Sequence, residues 1–134
     1  MIWRAALLAL AATASDASAE ILPSWVAQRD AKGWEFLGAS EESALFMRKI
    51  ADNKAWRRFE SPQPVIMYGK PYRSTLGLAE LDCAGGRLRD LQQALYEQND
   101  MAGTPDTHVA PADLPWTHPI PGTLDETFLK AACR

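Results

Sequence analysis

The chain has 134 residues, of which 47% are hydrophobic and 23% charged, and its formal net charge is −3. This length suits one small domain, and the apolar content is too high for a disordered chain. The acidic balance argues against a nucleic-acid partner, and no apolar run is long enough to cross a bilayer as a folded span.

The N-terminus has the layout of a secretory signal peptide. A basic start at Met1–Arg4 precedes the apolar run Ala5–Ala12, and small residues follow as far as Ala17-Ser18-Ala19. Small residues at the −3 and −1 positions fit the signal peptidase, so we predict a signal peptide over 1–19. No cysteine follows the apolar run, so we expect no lipid anchor. The predicted location is the periplasm or the outside of the cell.

The predicted export determines how the two cysteines, Cys83 and Cys133, are interpreted. In an oxidising compartment an even cysteine count predicts a disulfide, and only one intramolecular pairing exists. The alternatives are a redox pair or a thiol nucleophile. A redox pair normally has a C-x-x-C spacing, and Asp82 has the wrong charge to activate a neighbouring thiolate. We therefore predict a structural Cys83–Cys133 bond.

Residues 20–32 form an N-terminal extension in this prediction, and residues 33–134 form the domain. Pro23 and Ser24 favour a short helix that places Trp25 and Val26 on a core, although the segment is ambiguous. From Gly33 onward, alternating apolar and polar residues predict a strand over 34–38. Polar turns at 39–43 and 52–54 then bound two further candidate strands, over 44–51 and 55–60, and the last of these is not cleanly amphipathic.

Prolines are expected to end the third strand at Ser61–Pro64, because proline lacks the N–H that a sheet ladder needs. The following residues, Val65–Tyr72, are predicted to form a loop with several large apolar side chains. Such a loop either folds back on the sheet or meets a partner. Ile66, Met67 and Tyr68 are therefore the candidate partner-contact residues.

Residues 73–83 give the clearest strand pattern, and Ala84-Gly85-Gly86 indicates a hairpin turn. The return element, 87–98, also suits a helical period, but the tight turn favours a strand. Five prolines make residues 99–122 irregular, at least in part. Thr123-Leu-Asp-Glu126 matches a capping box, which predicts a C-terminal helix with Leu124 and Phe128 on one face.

Candidates for chemistry are few, and we predict no catalytic, cofactor-binding or metal-binding residues. His108 and His118 lie ten residues apart across the proline-rich segment, whereas zinc usually takes three or four ligands. Arg57, Arg58 and Arg73 suggest an anion-binding face, but charges on a solvated sheet face are the simpler interpretation. Trp34, Trp56 and Trp116 are expected in the core. Exposure of Trp25 would instead indicate contact with a partner.

Several short segments, in this order and spacing, resemble the bacterial surface-adhesin protein E-like family. The similarity runs roughly from Trp34 to Cys133. The segments are Trp34, Ala55-Trp56-Arg57-Arg58-Phe59 with Pro62-Gln63, Tyr72-Arg73-Ser74, Glu80-Leu81-Asp82-Cys83, Arg87-Leu88-Arg89, Trp116, Pro121-Gly122-Thr123 and Cys133.

The resemblance implies an α+β fold, in which an antiparallel β-sheet is packed by the C-terminal α-helix and the two cysteines are bridged. It also implies a non-enzymatic role, namely binding to another protein such as an envelope component or a host matrix or serum protein. The adhesin that gives the family its name is an outer-membrane lipoprotein, so the resemblance also implies a Gram-negative bacterium. This chain lacks the lipidation cysteine. We keep a small periplasmic metal-binding protein and an exported enzyme as alternatives. A dimer stays open.

Overall fold

The computed structural model describes residues 22–134, so the predicted signal peptide lies outside the described residues. Within these residues, the fold consists of a six-stranded sheet and two helices. In chain order the elements are α1 (Ser24–Ala27), β1 (Glu35–Ala39), β2 (Ala44–Ala51), β3 (Lys54–Met67), β4 (Lys70–Asp82), β5 (Arg87–Tyr96), a 3-10 turn (Asn99–Met101), β6 (Asp106–Val109) and α2 (Leu124–Ala132).

The strands pair in sequence order from β1 to β6, and every pair is antiparallel. The predicted α+β class, with a sheet packed by a C-terminal helix, is confirmed. Arg87 begins β5 directly after the predicted turn, so the strand interpretation of that segment is also confirmed. A Cβ at Gly85 would lie 2.5 Å from Asp82 Oδ2, so a larger residue there would displace the carboxylate that pairs with Arg87.

The main core lies between the sheet and α2, where Leu45, Met47, Ala55, Leu81 and Phe128 pack together. The helix begins as predicted, because the Thr123 hydroxyl accepts a hydrogen bond from the Glu126 N–H at 3.4 Å. One detail of the capping box differs. Glu126 Oε1 accepts from the Gly122 N–H at 3.2 Å, one residue earlier than the capping box predicts.

The predicted Cys83–Cys133 disulfide is present and clamps α2 to the sheet. It joins the residue after β4 to the residue after α2, with the two Cα atoms 5.6 Å apart. Both cysteines of the sequence are thereby used, so neither is a free thiol. The thiol-nucleophile alternative is wrong for this state of the protein.

A smaller cluster covers part of the opposite face of the sheet. Val26 of α1 packs there with Ala44 and Phe46, and Trp25 and Trp34 lie against them. The predicted short helix with Val26 on a core is thus confirmed. Trp25 is half-buried in this cluster, so the exposure that would indicate a partner is not seen.

The prediction that three tryptophans lie in the core is confirmed for Trp34, which packs against the smaller cluster, but not for Trp56 and Trp116, which are half-buried and belong to neither cluster. Two of the three stack against arginines. The guanidinium carbon of Arg48 lies 4.3 Å from the centre of the Trp34 ring, and that of Arg89 lies 4.3 Å from Trp116. The core is filled by smaller aliphatic residues and by Phe128.

Two strand predictions are wrong in the middle of the chain. β3 does not end at Ser61–Pro64 but continues to Met67, and residues 65–72 form the end of a hairpin rather than a loop. The pairing between β3 and β4 shifts between Glu60 and Val65, so four β3 residues lie opposite Arg73 alone. Both prolines lie inside this wide bulge, where a missing N–H breaks no regular ladder bond.

Candidate binding surface

The β3–β4 hairpin carries the residues that were predicted to contact a partner. We call residues 65–70 the hairpin tip. Met67 pairs with Lys70, and the turn between them consists of Tyr68 and Gly69, which have φ angles of 52° and 77°. Glycine adopts this left-handed conformation without cost, whereas tyrosine rarely does. The turn therefore presents Tyr68 in a conformation that the surrounding hairpin must hold.

The three predicted contact residues point in different directions. Because side chains alternate along a strand, Val65 and Met67 share one side, and both line a groove on the sheet. Ile66 lies between them and is 67% exposed, and Tyr68 at the turn is 69% exposed. The hairpin tip thus has an outward apolar side and a side that faces the groove.

The hairpin tip is held against β6, the last strand of the sheet. The rings of Tyr68 and His108 stack with their centres 4.7 Å apart. Behind them, the Tyr72 hydroxyl donates to Asp106 Oδ2 at 2.5 Å, and Lys70 Nζ lies 3.7 Å from the same carboxylate. Since β5 lies between β4 and β6, the tip must curl across the face of the sheet to make these contacts.

The contact between Tyr72 and Asp106 shifts the pKa of both groups. The hydrogen bond to Asp106 raises the pKa of Tyr72 to about 12, and burial adds to the effect. The same bond is the main cause that lowers the pKa of Asp106, and the positive charge of Lys70 lowers it further. At neutral pH, Tyr72 is therefore a protonated donor to an ionised carboxylate.

A groove lies between the curled hairpin and the helix-bearing face of the sheet. Its first cavity has a volume of about 250 Å³. Phe59, Val65 and Met67 provide apolar walls, and Gly77 lies on the floor without a side chain. A second cavity, of about 360 Å³, continues past Tyr68 and His108 and shares Asp90 and Gln93 with the first. The groove is therefore elongated.

Two arginines of the groove differ in their charge balance. Arg57 is largely buried and contacts both Asp90, at 2.7 Å, and Asp125 at the start of α2, at 2.9 Å. Arg73 is exposed and has no carboxylate within ion-pair distance among residues 22–134. Arg73 is thus the arginine of this groove whose charge is not balanced.

Arg58 behaves quite differently from the sequence prediction. It was expected on a solvated face, but its side chain is completely buried, and so is that of Glu60, 2.7 Å away. The guanidinium also donates to the Asp30 carbonyl at 2.7 Å and contacts Asp100 at 3.1 Å. Phe46 packs below it, with its ring centre 4.8 Å from the guanidinium carbon. The prediction of a surface charge is wrong here.

Glu60 connects this buried ion pair to the 3-10 turn. Its carboxylate also accepts hydrogen bonds from Ser74 Oγ at 2.7 Å, from the Asn99 amide at 3.0 Å and from the Asp100 N–H at 2.9 Å. Asp100 and the next residue have positive φ angles of 62° and 56°. These bonds fix an unfavourable backbone conformation, and the sequence contained no local signal for them.

The two histidines do not form a common site. His108 pairs with Gln93 on β5, whereas His118 Nδ1 lies 3.1 Å from the carbonyl oxygen of Gly86, just before β5. At ~3.3 Å per residue, the seven residues from Gly86 to Gln93 span about 23 Å, far beyond the reach of one metal ion. In the described part of the chain, no three His, Cys, Asp or Glu side chains gather as metal ligands.

The fold and this surface define the class: a small, disulfide-bonded α+β domain that exposes apolar side chains beside a groove. The family model of Surface-adhesin protein E matches residues 41–134, and the chain belongs to that family. The family is one of surface proteins, which places this chain among exported or surface proteins. No curated protein and no solved structure gives a significant match. Within residues 22–134, no helix has the length and apolar character needed to cross a membrane.

Proposed function

We propose that this protein is an exported, non-enzymatic binding module that contacts another protein through the outward side of its hairpin tip. The observation that carries the proposal is the exposure of Ile66 and Tyr68 on the hairpin tip, at 67% and 69%. Large apolar side chains gathered at one exposed place are typical of protein interaction sites.

The attachment of the tip to β6 supports this role. A flexible loop would lose conformational entropy on binding, whereas a tip held by the Tyr72–Asp106 hydrogen bond and the Tyr68–His108 stack is already ordered. Tyrosine is also enriched among the residues that dominate interface energies. The partner we propose is an envelope component or a host matrix or serum protein, as the family suggests.

Export and domain limits are part of the same proposal. An internal disulfide favours an oxidising compartment, which agrees with a signal peptide over 1–19. The proposed domain covers 33–134, and the extension over 20–32 packs on it through Val26. N-terminal sequencing of the exported protein tests this directly, and we expect it to begin at Glu20. A mature protein that keeps Met1 would contradict the predicted cleavage.

The binding role is tested by capture from envelope and matrix extracts, followed by titration of the purified captured protein. We expect Ile66→Ala and Tyr68→Ala each to weaken binding about tenfold or more, as substitutions of central interface residues do. Ile50→Ala is the matched control, because Ile50 is also an exposed isoleucine, at 54%, on a different strand. Equal binding by all variants would remove the hairpin tip from the proposal.

A further inference from the structure

The groove beneath the hairpin tip has a lining that selects a particular kind of occupant. We infer that it receives an extended segment of the partner protein, with a bulky apolar side chain in the first cavity and a carboxylate next to it on Arg73. This inference rests on the proposed function and adds the chemistry of the partner. It involves the inner side of the tip, whereas the proposed contact uses the outer side.

The size of the first cavity favours a side chain over a free small molecule. Pockets for cofactors and drug-sized ligands usually measure about 300–1,000 Å³. The first cavity, at about 250 Å³, is below that range, while the second, at about 360 Å³, is within it. The preference for a single side chain therefore applies to the first cavity. Phe59, Val65 and Met67 give this cavity the walls that an apolar side chain needs. The second cavity, beyond Gln93, extends the groove in a direction that a continuing peptide chain can follow.

The floor of the groove is open because Gly77 has no side chain. A Cβ at Gly77 would have Asp90 Oδ1 as its nearest neighbour, at 3.6 Å, which is ordinary van der Waals contact. The protein therefore has room for an alanine at this position, and the added methyl group would occupy groove volume instead. Gly38 in β1 is a matched position, since its nearest neighbour would be Leu124 Cδ2, at 3.5 Å.

The charged residues of the groove favour a ligand with a negative charge. Arg57 already contacts two carboxylates, so it does not need an anionic ligand. Arg73 lines the same cavity, is exposed and lacks a carboxylate partner within the described chain. A carboxylate on the partner complements that free charge, whereas a lysine would be repelled by it.

The experiment is an NMR titration of the oxidised, exported protein with three blocked hexapeptides. The sequences are acetyl-Gly-Ala-Phe-Glu-Ala-Gly-amide and its two single variants, in which Phe becomes Ala or Glu becomes Lys. We expect the first peptide to shift the amide signals of Thr75, Gly77 and Gln93. The variant without Phe should bind at least about tenfold more weakly, and the Lys variant about two- to five-fold more weakly.

Protein variants separate the groove from the rest of the surface. Gly77→Ala is expected to weaken the Phe-Glu peptide about tenfold, while Gly38→Ala leaves it unchanged. Arg73→Glu should reverse the preference between the Glu and Lys peptides. No groove shifts at 5 mM peptide (about the weakest affinity worth detecting), shifts confined to another face, or equal binding by Gly77→Ala would each overturn the inference.

The capture assay shows which of the two proposals has failed. If Ile66→Ala weakens partner capture and Gly77→Ala does not, the outer contact stands and the groove inference is wrong. If Gly77→Ala weakens the peptide and the partner while Ile66→Ala weakens neither, the groove stands and the outer contact is wrong.

Discussion

Replacing Arg58 with methionine is the most informative perturbation of the fold, because it removes one charge from a fully buried ion pair. Methionine keeps most of the side-chain length, so the change mainly removes the guanidinium group. Glu60 would then remain buried 2.7 Å from a missing partner, and Asp100 and the Asp30 carbonyl would each lose a donor. The carboxylate would keep only neutral donors, chiefly Ser74 and Asn99.

The expected cost follows from the burial of both groups. Breaking a buried ion pair on one side costs about 3–5 kcal/mol, since the other charge is left without compensation. A domain of this size is stable by about 5–15 kcal/mol in total, so the change would remove a large part of the free energy of unfolding. At about 4 °C per kcal/mol, the melting temperature should fall by about 12–20 °C.

The assay is guanidinium unfolding followed by tryptophan fluorescence, with calorimetry for the melting temperature. Lys130→Met is the matched control, because Lys130 forms an exposed pair with Glu126 at 3.5 Å. Such surface pairs contribute only about 0–1 kcal/mol. A double variant, Arg58→Met with Glu60→Gln, removes both charges and should be less destabilised than the sum of the single changes.

The result that would refute this reasoning is specific. If Arg58→Met lowers the free energy of unfolding by less than about 1 kcal/mol, the guanidinium is not needed to compensate Glu60. Strict additivity in the double variant would show that Arg58 and Glu60 do not interact energetically. Either outcome would mean that contacts other than this ion pair hold the segment around Asp30 and the 3-10 turn.

Two further predictions concern the disulfide and the tyrosine beneath the hairpin tip. Replacing Cys83 and Cys133 by serine removes the cross-link that closes a loop of 50 residues. This change should lower the free energy of unfolding by about 4 kcal/mol. In guanidinium unfolding, reductant should destabilise the natural protein by as much as the serine substitutions do, and it should leave the serine variant unchanged. If reductant alters the unfolding midpoint of neither protein, the prediction is contradicted. Tyr72 holds its proton more tightly in the folded protein, with a pKa of about 12, than in an unfolded chain, at about 10. Its contribution to the free energy of unfolding is therefore complete below about pH 10 and is lost as the pH rises towards 12. Tyr72→Phe should flatten the alkaline fall in stability, with Tyr96→Phe as the control for removing one phenol, and an unchanged alkaline slope in Tyr72→Phe would contradict this.

The parts of the fold that local sequence patterns determine could be predicted. Polar turn residues on both sides located β2 with its observed bounds, Ala44–Ala51. Turn chemistry located the β4–β5 hairpin, and the Thr123 hydroxyl marked the start of α2. Each of these signals lies within a few residues of the structure that it specifies, so a single sequence contains enough information.

Long-range contacts explain most of what the sequence did not show. Alternation in β3 puts Arg57 and Arg58 on opposite faces, but it does not say which segments cover those faces. The partners of Arg58 include Asp30 and Asp100, which are 28 and 42 residues away. β6 was missed because its four residues lie in a proline-rich segment and become a strand only by pairing with β5.

The prolines of β3 mark a bend in the hairpin rather than the end of the strand. Pro62 and Pro64 were expected to end the strand, but they lie in a bulge where four residues oppose Arg73 alone. The excess residues on one strand bend the hairpin, as bulges do. This bend brings Tyr68 to His108 and leaves the groove beneath. A strand that ended at Ser61 would have left the sheet face open, so the outer contact and the inner groove both depend on the same bulge.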